Sequence, residues 1–226
     1  MYEKSLIKAK RWLHSPYDKT TQKKVNTLIE EGGEELIESF YKELDFGTGG
    51  MRGIMGVGPN RINKYTIGKV TQGLANTLIN KYKNTTTISV AIAYDCRNNS
   101  EALALNTAVV LTANGIKVYL FNALRPTPEL SFAVRELGCK SGIVITASHN
   151  PKEYNGYKVY GEDGSQIVSP FDAEIIKSVR KLSISDVNFK GNKKLLFSIG
   201  SDMDKAYLMR LKTLSLSQGA IKKQKD

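Results

Sequence analysis

ISVAIAYDCRNNSEALALNTAVVLTANGIKVYLFNALRPTPELSFAVRELGCKSGIVITASHNP, residues 88–151, is the stretch that decides the fold of this 226-residue chain. Three apolar runs of strand length, residues 88–94, 117–121 and 142–146, alternate there with two longer segments of helical periodicity. Strands that alternate with helices in this way form a largely parallel sheet with helices on both faces. The stretch therefore predicts an α/β fold.

The pattern changes on both sides of this stretch. The first 45 residues show helical periodicity interrupted by short breaks, which predicts a helical extension. After residue 146, alternation over 157–160, a turn signal at 162–164 and a short return strand at 166–168 predict a hairpin. We therefore expect a three-layer α/β/α domain with a mixed, mostly parallel sheet, preceded by a helical extension.

The chain is expected to divide into three parts: the extension over 1–45, the α/β domain over 46–185, and a last part over 186–226. Residues 183–191 read as a linker. The strand predicted after it at 194–199 and the helix at 202–214 are too small to stand alone. We expect this pair to be the truncated start of a second domain.

Composition excludes several classes of protein. No apolar run approaches the ~20 residues that span a bilayer, and the N-terminus lacks the apolar segment of a signal peptide. A cytoplasmic protein that does not bind a membrane is expected. Cys96 and Cys139 lie far apart without CxxC spacing, so a disulfide framework and a cysteine metal site are not expected.

The formal net charge of +11 favours anionic partners. More than half of the excess lies in residues 190–226, which form either a solvated basic surface or one that faces an anion. Nucleic acid is not the expected partner, because aromatic residues do not alternate with the basic ones there. Tyr207 is the sole aromatic residue after Phe197.

Polar clusters follow each of the three strands, where open α/β sheets bind their ligands. They are Asp95-Cys96-Arg97-Asn98, Arg125-Pro126-Thr127-Pro128 and Ser148-His149-Asn150-Pro151. In the first cluster, Asp95 and Arg97 either pair with each other at the strand end or contact a ligand.

Ser148 is the main candidate for chemistry. The Asn150-Pro151 step favours a turn, so Ser148 is expected to be exposed at the end of its strand. It either stabilises that turn or acts as a nucleophile or phosphate carrier, which requires a proton acceptor and positive charge nearby. His149 and Lys158 are close in sequence. A serine hydrolase fits poorly, because a GxSxG motif is absent and adjacent side chains normally diverge.

A glycine-rich loop over 47–63 lies upstream of the first strand of this stretch and contains Arg52. Six of the twelve residues from 47 to 58 are glycine, but the Gly-Lys-Ser/Thr of a Walker A motif does not follow. The glycines either permit tight turns or let backbone amides, together with Arg52, hold a phosphate.

These motifs resemble those of a known family. TASHNPKEYNGYK, residues 146–158, resembles the active-serine signature of the α-D-phosphohexomutases, which include phosphoglucomutases and phosphomannomutases. GTGGMRG at 47–53, DCRNNS at 95–100 and TPELSF at 127–132 match the family in the same order. The extension and GPNRIN at 58–63 look most like the phosphoglucomutase-2-like and phosphopentomutase branch.

The resemblance implies a phosphosugar mutase, an isomerase that acts as an intramolecular phosphotransferase. Such an enzyme moves a phosphoryl group between the 1-position and the terminal hydroxyl of a sugar phosphate, through a phosphoserine and a sugar bisphosphate. By resemblance, Ser148 would carry the phosphoryl group and Lys158 would be the acid/base group. Arg52 would neutralise charge and His149 would assist. Arg52, Asn150 and Lys158 would contact substrate.

The resemblance also implies Mg²⁺, bound in this chain only through the phosphate on Ser148, and a sugar bisphosphate activator. The family's Asp-rich DxDxDR metal loop and later domains are absent from the sequence. The chain is therefore expected to be an N-terminal fragment, inactive alone, in which residues 46–185 are domain I with the active serine loop. The alternative is a non-catalytic module that binds sugar phosphates.

Overall fold

A computed structural model describes residues 1–47 and 49–224 and places six strands in one sheet of order β1-β5-β4-β2-β3-β6. The strands are β1 Gly50–Ile54, β2 Ser89–Tyr94, β3 Lys117–Phe121, β4 Ser141–Ile145, β5 Tyr154–Gly161 and β6 Leu196–Ile199. The helices are α1 Tyr2–Arg11, α2 Lys19–Glu31, α3 Gly33–Phe40, α4 Lys64–Lys81, α5 Ser100–Ala113, α6 Thr127–Glu136, α7 Phe171–Arg180, α8 Ser201–Thr213 and α9 Gln218–Lys223. Thr48 of the glycine-rich loop, and Lys225 and Asp226 of the last predicted part, lie outside the described residues.

The sheet is mixed and mostly parallel, as predicted. Strands β4, β2, β3 and β6 run parallel, whereas β5 is antiparallel to both β4 and β1. Every residue of β2 and of β4 is buried, which explains why both strands are continuous apolar runs.

Helices cover both faces of the sheet and complete the predicted three layers. Val90 and Ile92 of β2 belong to one core with buried residues of α4, α5 and α7. Ala91 and Ala93, on the other face of the same strand, belong to a second core with residues of α6 and α8. Because successive strand residues point to opposite faces, one strand supports both cores.

The helical extension is confirmed and packs against the N-terminal part of α4. Trp12 stacks on Tyr17 with ring centroids 4.2 Å apart and meets Phe40 and Tyr65 edge-on. Asp18 caps α2 by accepting a hydrogen bond from the Thr21 amide and also accepts one from the Tyr65 hydroxyl. Burial opposes the Asp18 charge, but these bonds and Lys64 hold its pKa well below the usual range.

Two expectations around the sheet edge are wrong. Residues 50–54 of the predicted glycine-rich loop form strand β1, because β5 supplies an antiparallel edge with which their backbone pairs. The predicted return strand at 166–168 is reduced to a single bridge between Gln166 and Tyr160. The antiparallel hairpin is instead formed by β4 and β5, with the serine loop between them.

The segment after residue 186 joins this sheet instead of packing separately. Strand β6 pairs with β3, and α8 packs against α6, with its Met203 buried in the second core. A single β-α unit cannot bury its own apolar face, and β3 offers an unpaired backbone edge. The boundary at 185/186 stays a prediction.

None of the helices in residues 1–47 and 49–224 combines the length and the apolar character that a bilayer crossing requires.

Candidate functional site

Ser148 lies at the exposed apex of the loop that connects β4 to β5, which confirms that the strand end presents it. Its φ of +58° is in the left-handed region, which is uncommon for a residue other than glycine. The Ser148 amide donates to Thr146 Oγ1 at 3.0 Å, and the Asn150 amide donates to the Ala147 carbonyl at 3.1 Å. These two bonds fold the loop into a tight turn with the Ser148 side chain outward.

Arg97 donates hydrogen bonds to the backbone of this loop. Its Nη2 donates to the carbonyls of Ser148 at 2.7 Å and Asn150 at 2.6 Å. Its Nη1 donates to the carbonyls of Pro151 at 2.9 Å and Tyr154 at 3.2 Å. The guanidinium therefore binds four backbone oxygens of the segment that presents Ser148.

Asp95 and Ser100 form the hydrogen bonds that keep Arg97 in position. Asp95 Oδ1 accepts hydrogen bonds from the Arg97 amide at 3.0 Å and the Ser100 hydroxyl at 2.8 Å. The fully buried Asn155 donates to the Asn98 carbonyl and to Ser100 Oγ. Of the two expectations for Asp95 and Arg97, pairing at the strand end is correct, since Asp95 Oδ2 lies 3.4 Å from Arg97 Nε. The contacts of Arg97 with the serine loop, and those of Asn155 with Asn98 and Ser100, were not predicted from the sequence.

Arg52 reaches the same loop from the neighbouring strand β1. It lies opposite Gly156 of β5, and its Nη1 donates to Asn150 Oδ1 at 3.2 Å. A Cβ on Gly156 would come within 2.6 Å of the Thr146 carbonyl oxygen and 2.8 Å of the Met51 carbonyl oxygen. Glycine at this position lets the three backbones approach closely enough for Arg52 to contact the serine loop.

Lys158 lies on the same face of the sheet as Arg52. It follows Gly156 by two residues on β5, opposite Gly50, so the two cationic side chains are diagonal neighbours. Tyr157 points to the other face, where it is fully buried and accepts a hydrogen bond from the Thr71 hydroxyl. Lys158 itself is half-buried.

His149 is exposed beside Ser148, with its Nδ1 3.4 Å from Ser148 Oγ. The two side chains therefore approach each other, although adjacent side chains were expected to diverge. The distance exceeds that of an ordinary O–H···N hydrogen bond. In the part of the chain that the structure describes, no carboxylate bonds to the His149 ring, so the pair lacks the third member of a hydrolase triad.

The second polar cluster, which contains Arg125, is not part of this site. Arg125 forms a bidentate ion pair with Asp204 of α8, with Nε–Oδ1 2.6 Å and Nη2–Oδ2 2.7 Å. Glu129, one turn further along α6, is buried, and burial raises its pKa to about 7. These residues fasten α8 to the end of β3.

The site is an open, cationic shelf at the sheet's edge. Arg52 contacts the serine loop through Asn150, and Lys158 lies on the same face of the sheet as Arg52. Cavities lie elsewhere, among them one of about 960 Å³ between α4 and α7 and one of about 420 Å³ between the extension and α4. Such a shelf can hold an anion on Ser148 but does not enclose a small molecule.

Comparisons with known proteins agree with this geometry. Residues 43–185 match the family model described as "Phosphoglucomutase/phosphomannomutase, alpha/beta/alpha domain I". A phosphoglucomutase of Staphylococcus haemolyticus is 44% identical over 170 residues, covering 75% of this chain and 30% of the relative. A human phosphopentomutase is 39% identical over 178 residues, covering 76% of this chain and 29% of the relative.

Solved structures share the fold. A Thermus thermophilus protein provisionally assigned as a phosphomannomutase has a TM-score of 0.59 and 28% identity, over 76% of this chain and 36% of that one. A Burkholderia thailandensis family protein, at 22% identity and a TM-score of 0.55, supports the fold alone; the match covers 72% of this chain and 34% of that one. The chain thus spans about a third or less of the length of the proteins that it matches.

Proposed function

Because the chain belongs to the phosphoglucomutase/phosphomannomutase family, we propose that it carries the phosphoserine of a phosphosugar mutase. The observation that carries this proposal is the exposed Ser148 hydroxyl, presented by a loop that Arg52 contacts through Asn150, with Lys158 on the same face of the sheet as Arg52. The proposed ligands are sugar phosphates and an activating sugar bisphosphate, and the proposed compartment is the cytoplasm.

The proposed reaction is an in-line transfer of a phosphoryl group in two steps. The free hydroxyl oxygen of a sugar monophosphate attacks the phosphorus on Ser148, the bond from phosphorus to Ser148 Oγ breaks, and a sugar bisphosphate forms. After the bisphosphate turns around, Ser148 Oγ attacks its other phosphorus and the sugar oxygen leaves. The phosphoserine is restored, so the net reaction is an isomerisation without a co-substrate.

Three side chains have proposed roles in these steps. In its neutral amine form, Lys158 takes the proton from the attacking sugar hydroxyl, and the ammonium so formed returns a proton to the departing sugar oxygen. Arg52 stabilises charge on the transferring group, and its bond to Asn150 keeps it over the loop. His149 assists from beside Ser148. Positioning and charge neutralisation are what phosphoryl transfer requires of a protein.

The described residues do not form a complete Mg²⁺ site. Mg²⁺ prefers oxygen ligands, chiefly carboxylates and phosphates. Arg52, which contacts the serine loop, is cationic, and residues 1–47 and 49–224 contain no group of three or more His, Cys, Asp or Glu side chains placed to hold a metal ion. The Mg²⁺ that the family resemblance implies would bind here only through the phosphate on Ser148, and the steps above are assigned to the chain's own residues.

The proposal is tested on the protein made from the complete reading frame that encodes this chain. We expect it to interconvert hexose or pentose 1-phosphates and terminal phosphates, and we expect Ser148→Ala to abolish that activity. Phosphopeptide mass spectrometry should find phosphate on Ser148 after incubation with hexose 1,6-bisphosphate or pentose 1,5-bisphosphate. Substantial turnover by Ser148→Ala would overturn the proposal. Binding of sugar phosphate without turnover by the unaltered protein would favour the binding-module alternative.

A further inference from the structure

We propose that Arg97 is a positioning residue that sets the conformation of the serine loop, residues 147–151, and thereby the direction in which Ser148 is presented. The part of this inference that concerns phosphoryl transfer rests on the proposed function. The part that concerns the loop's conformation rests on the geometry alone.

The N–H groups of the Arg97 guanidinium are directed at the serine loop. Arginine has five N–H donors in a rigid planar fork. Four of them donate to the carbonyls of Ser148, Asn150, Pro151 and Tyr154 at 2.6–3.2 Å, and the fifth, on Nε, lies 3.4 Å from Asp95 Oδ2. No donor is left for a ligand. Arg97 therefore acts on the loop and not on the substrate.

The serine loop needs contacts from outside the loop to keep the Ser148 backbone in its left-handed conformation. Ser148 is held in the left-handed region, which disfavours residues with a Cβ, and its side chain and that of His149 are exposed. Exposed side chains make few packing contacts, so they contribute little to stabilising an unfavourable backbone conformation. The Arg97 bonds to the Ser148 and Asn150 carbonyls, on either side of His149, supply that restraint.

Arg97 is itself fixed in position by contacts with Asp95. Its amide and its guanidinium both contact Asp95, which follows strand β2 directly. Ser100 at the start of α5 bonds to the same carboxylate, and buried Asn155 of β5 bonds to Ser100. The ends of β2 and β4, which are adjacent in the sheet, are thus joined through one guanidinium.

The decisive variant is Arg97→Lys, which keeps the charge but replaces the planar fork by a point donor. Amide hydrogen exchange of the 226-residue chain should show about tenfold faster exchange at Ser148 and Asn150, whose amides form the hydrogen bonds of the loop, in this variant. Protection in the middle of β2 and β4, and the Tm, should stay close to those of the unaltered chain. Arg135→Lys is the matched control, because Arg135 donates to a backbone carbonyl, that of Asp163, outside the serine loop.

Arg97→Ala with added guanidinium ion provides a second measurement. The free ion should restore protection of the Ser148 and Asn150 amides in Arg97→Ala and leave the unaltered chain unchanged. Unchanged exchange in Arg97→Lys would overturn the proposal. Exchange that rises equally throughout β2 and β4 with a lower Tm would also overturn it, because Arg97 would then serve general stability.

The consequence for transfer is measured on the protein from the complete reading frame. Arg97→Lys should slow phosphoryl transfer to Ser148 by about tenfold while the Kd for sugar phosphate changes less than about twofold. An equal loss in affinity would overturn the assignment of Arg97 to positioning. If the unaltered protein transfers no phosphoryl group, the proposed function fails, whereas the exchange measurements still decide the role of Arg97 in the loop.

Discussion

Arg52 and Gly156 are directly opposite each other in the antiparallel pair of β1 and β5, and the missing side chain of Gly156 makes room for Arg52. A Cβ on Gly156 would lie 3.2 Å from Arg52 Cβ and still closer to two carbonyl oxygens. The residue that brings the cation to the serine loop is therefore paired with the residue that permits the approach.

Gly156→Ala should destabilise the fold, because two backbone carbonyls would have to move to accommodate one methyl group. We expect a loss of about 1–3 kcal/mol in the free energy of unfolding, measured by urea denaturation. Gly47→Ala is the control, because the nearest atom to its Cβ is 3.8 Å away and its φ is not positive. If the two variants were equally stable, the close approach of β1 and β5 would be refuted.

Arg52→Ala should weaken binding of sugar phosphates without changing stability. Loss of one charge-assisted hydrogen bond to an anion corresponds to about 1.5–3 kcal/mol, or roughly a tenfold or larger rise in Kd by calorimetry. The side chain is exposed, so the Tm should not change measurably. Arg11→Ala, which removes an exposed arginine of the extension, controls for the lost charge. Equal affinity in the two variants would remove Arg52 from the proposed site.

Stability should fall as the pH rises through the range in which Glu129 ionises. Burial raises its pKa to about 7 from an ordinary 4.5, so the folded state holds a proton that the unfolded state releases. The stabilisation is complete below the unfolded value and is lost as the pH approaches the folded value.

Glu129→Gln keeps the side chain neutral at every pH, so it removes the ionisation and tests the direction of the effect. The Tm of Glu129→Gln relative to the unaltered chain should rise between about pH 5 and about pH 8, measured by calorimetry. Glu136→Gln controls for a carboxylate lost from the exposed side of the same helix. A difference that stays constant over this range would contradict the prediction.

Trp12→Ala should cost about 3–5 kcal/mol, the usual cost of removing a large buried aromatic side chain. Trp12 is 7% exposed and contacts three aromatic rings, including Tyr65 of α4. Tyr2→Ala is the control, because Tyr2 is 41% exposed. A loss below about 1 kcal/mol, measured in urea, would mean that the extension contributes little to the stability of the α/β unit.

The parts of the fold that the sequence predicted correctly are those with a local cause. Strands β2 and β4 were recognised because burial on both faces requires continuous apolar runs, and the partly buried β3 was recognised from its own short apolar run. Strand β1 was missed because Gly50 and Gly53 have low strand propensity, and its pairing is imposed by β5, about a hundred residues later.

The features of the site also divide into those that a local sequence pattern predicts and those that depend on residues far apart in the chain. The exposure of Ser148 followed from the Asn150-Pro151 turn signal, which is local. The contact of Arg97 with the Ser148 carbonyl joins residues 51 positions apart, and no spacing rule predicts it. The sequence made Arg125 as good a candidate for binding a ligand, because it also follows a strand, β3. Only the structure shows that its guanidinium is already paired with Asp204 of α8.

Strand β6 also determines where this chain can be shortened. A protein ending at residue 185 would leave the Lys117–Phe121 backbone open along one side and would uncover Ala133, Val134 and the other apolar residues now packed with Met203. Open edges of this kind pair between molecules and aggregate. For recombinant expression, the smallest unit expected to stay monodisperse therefore extends through the last turn of α8, at Thr213, well past the end of the matched family segment.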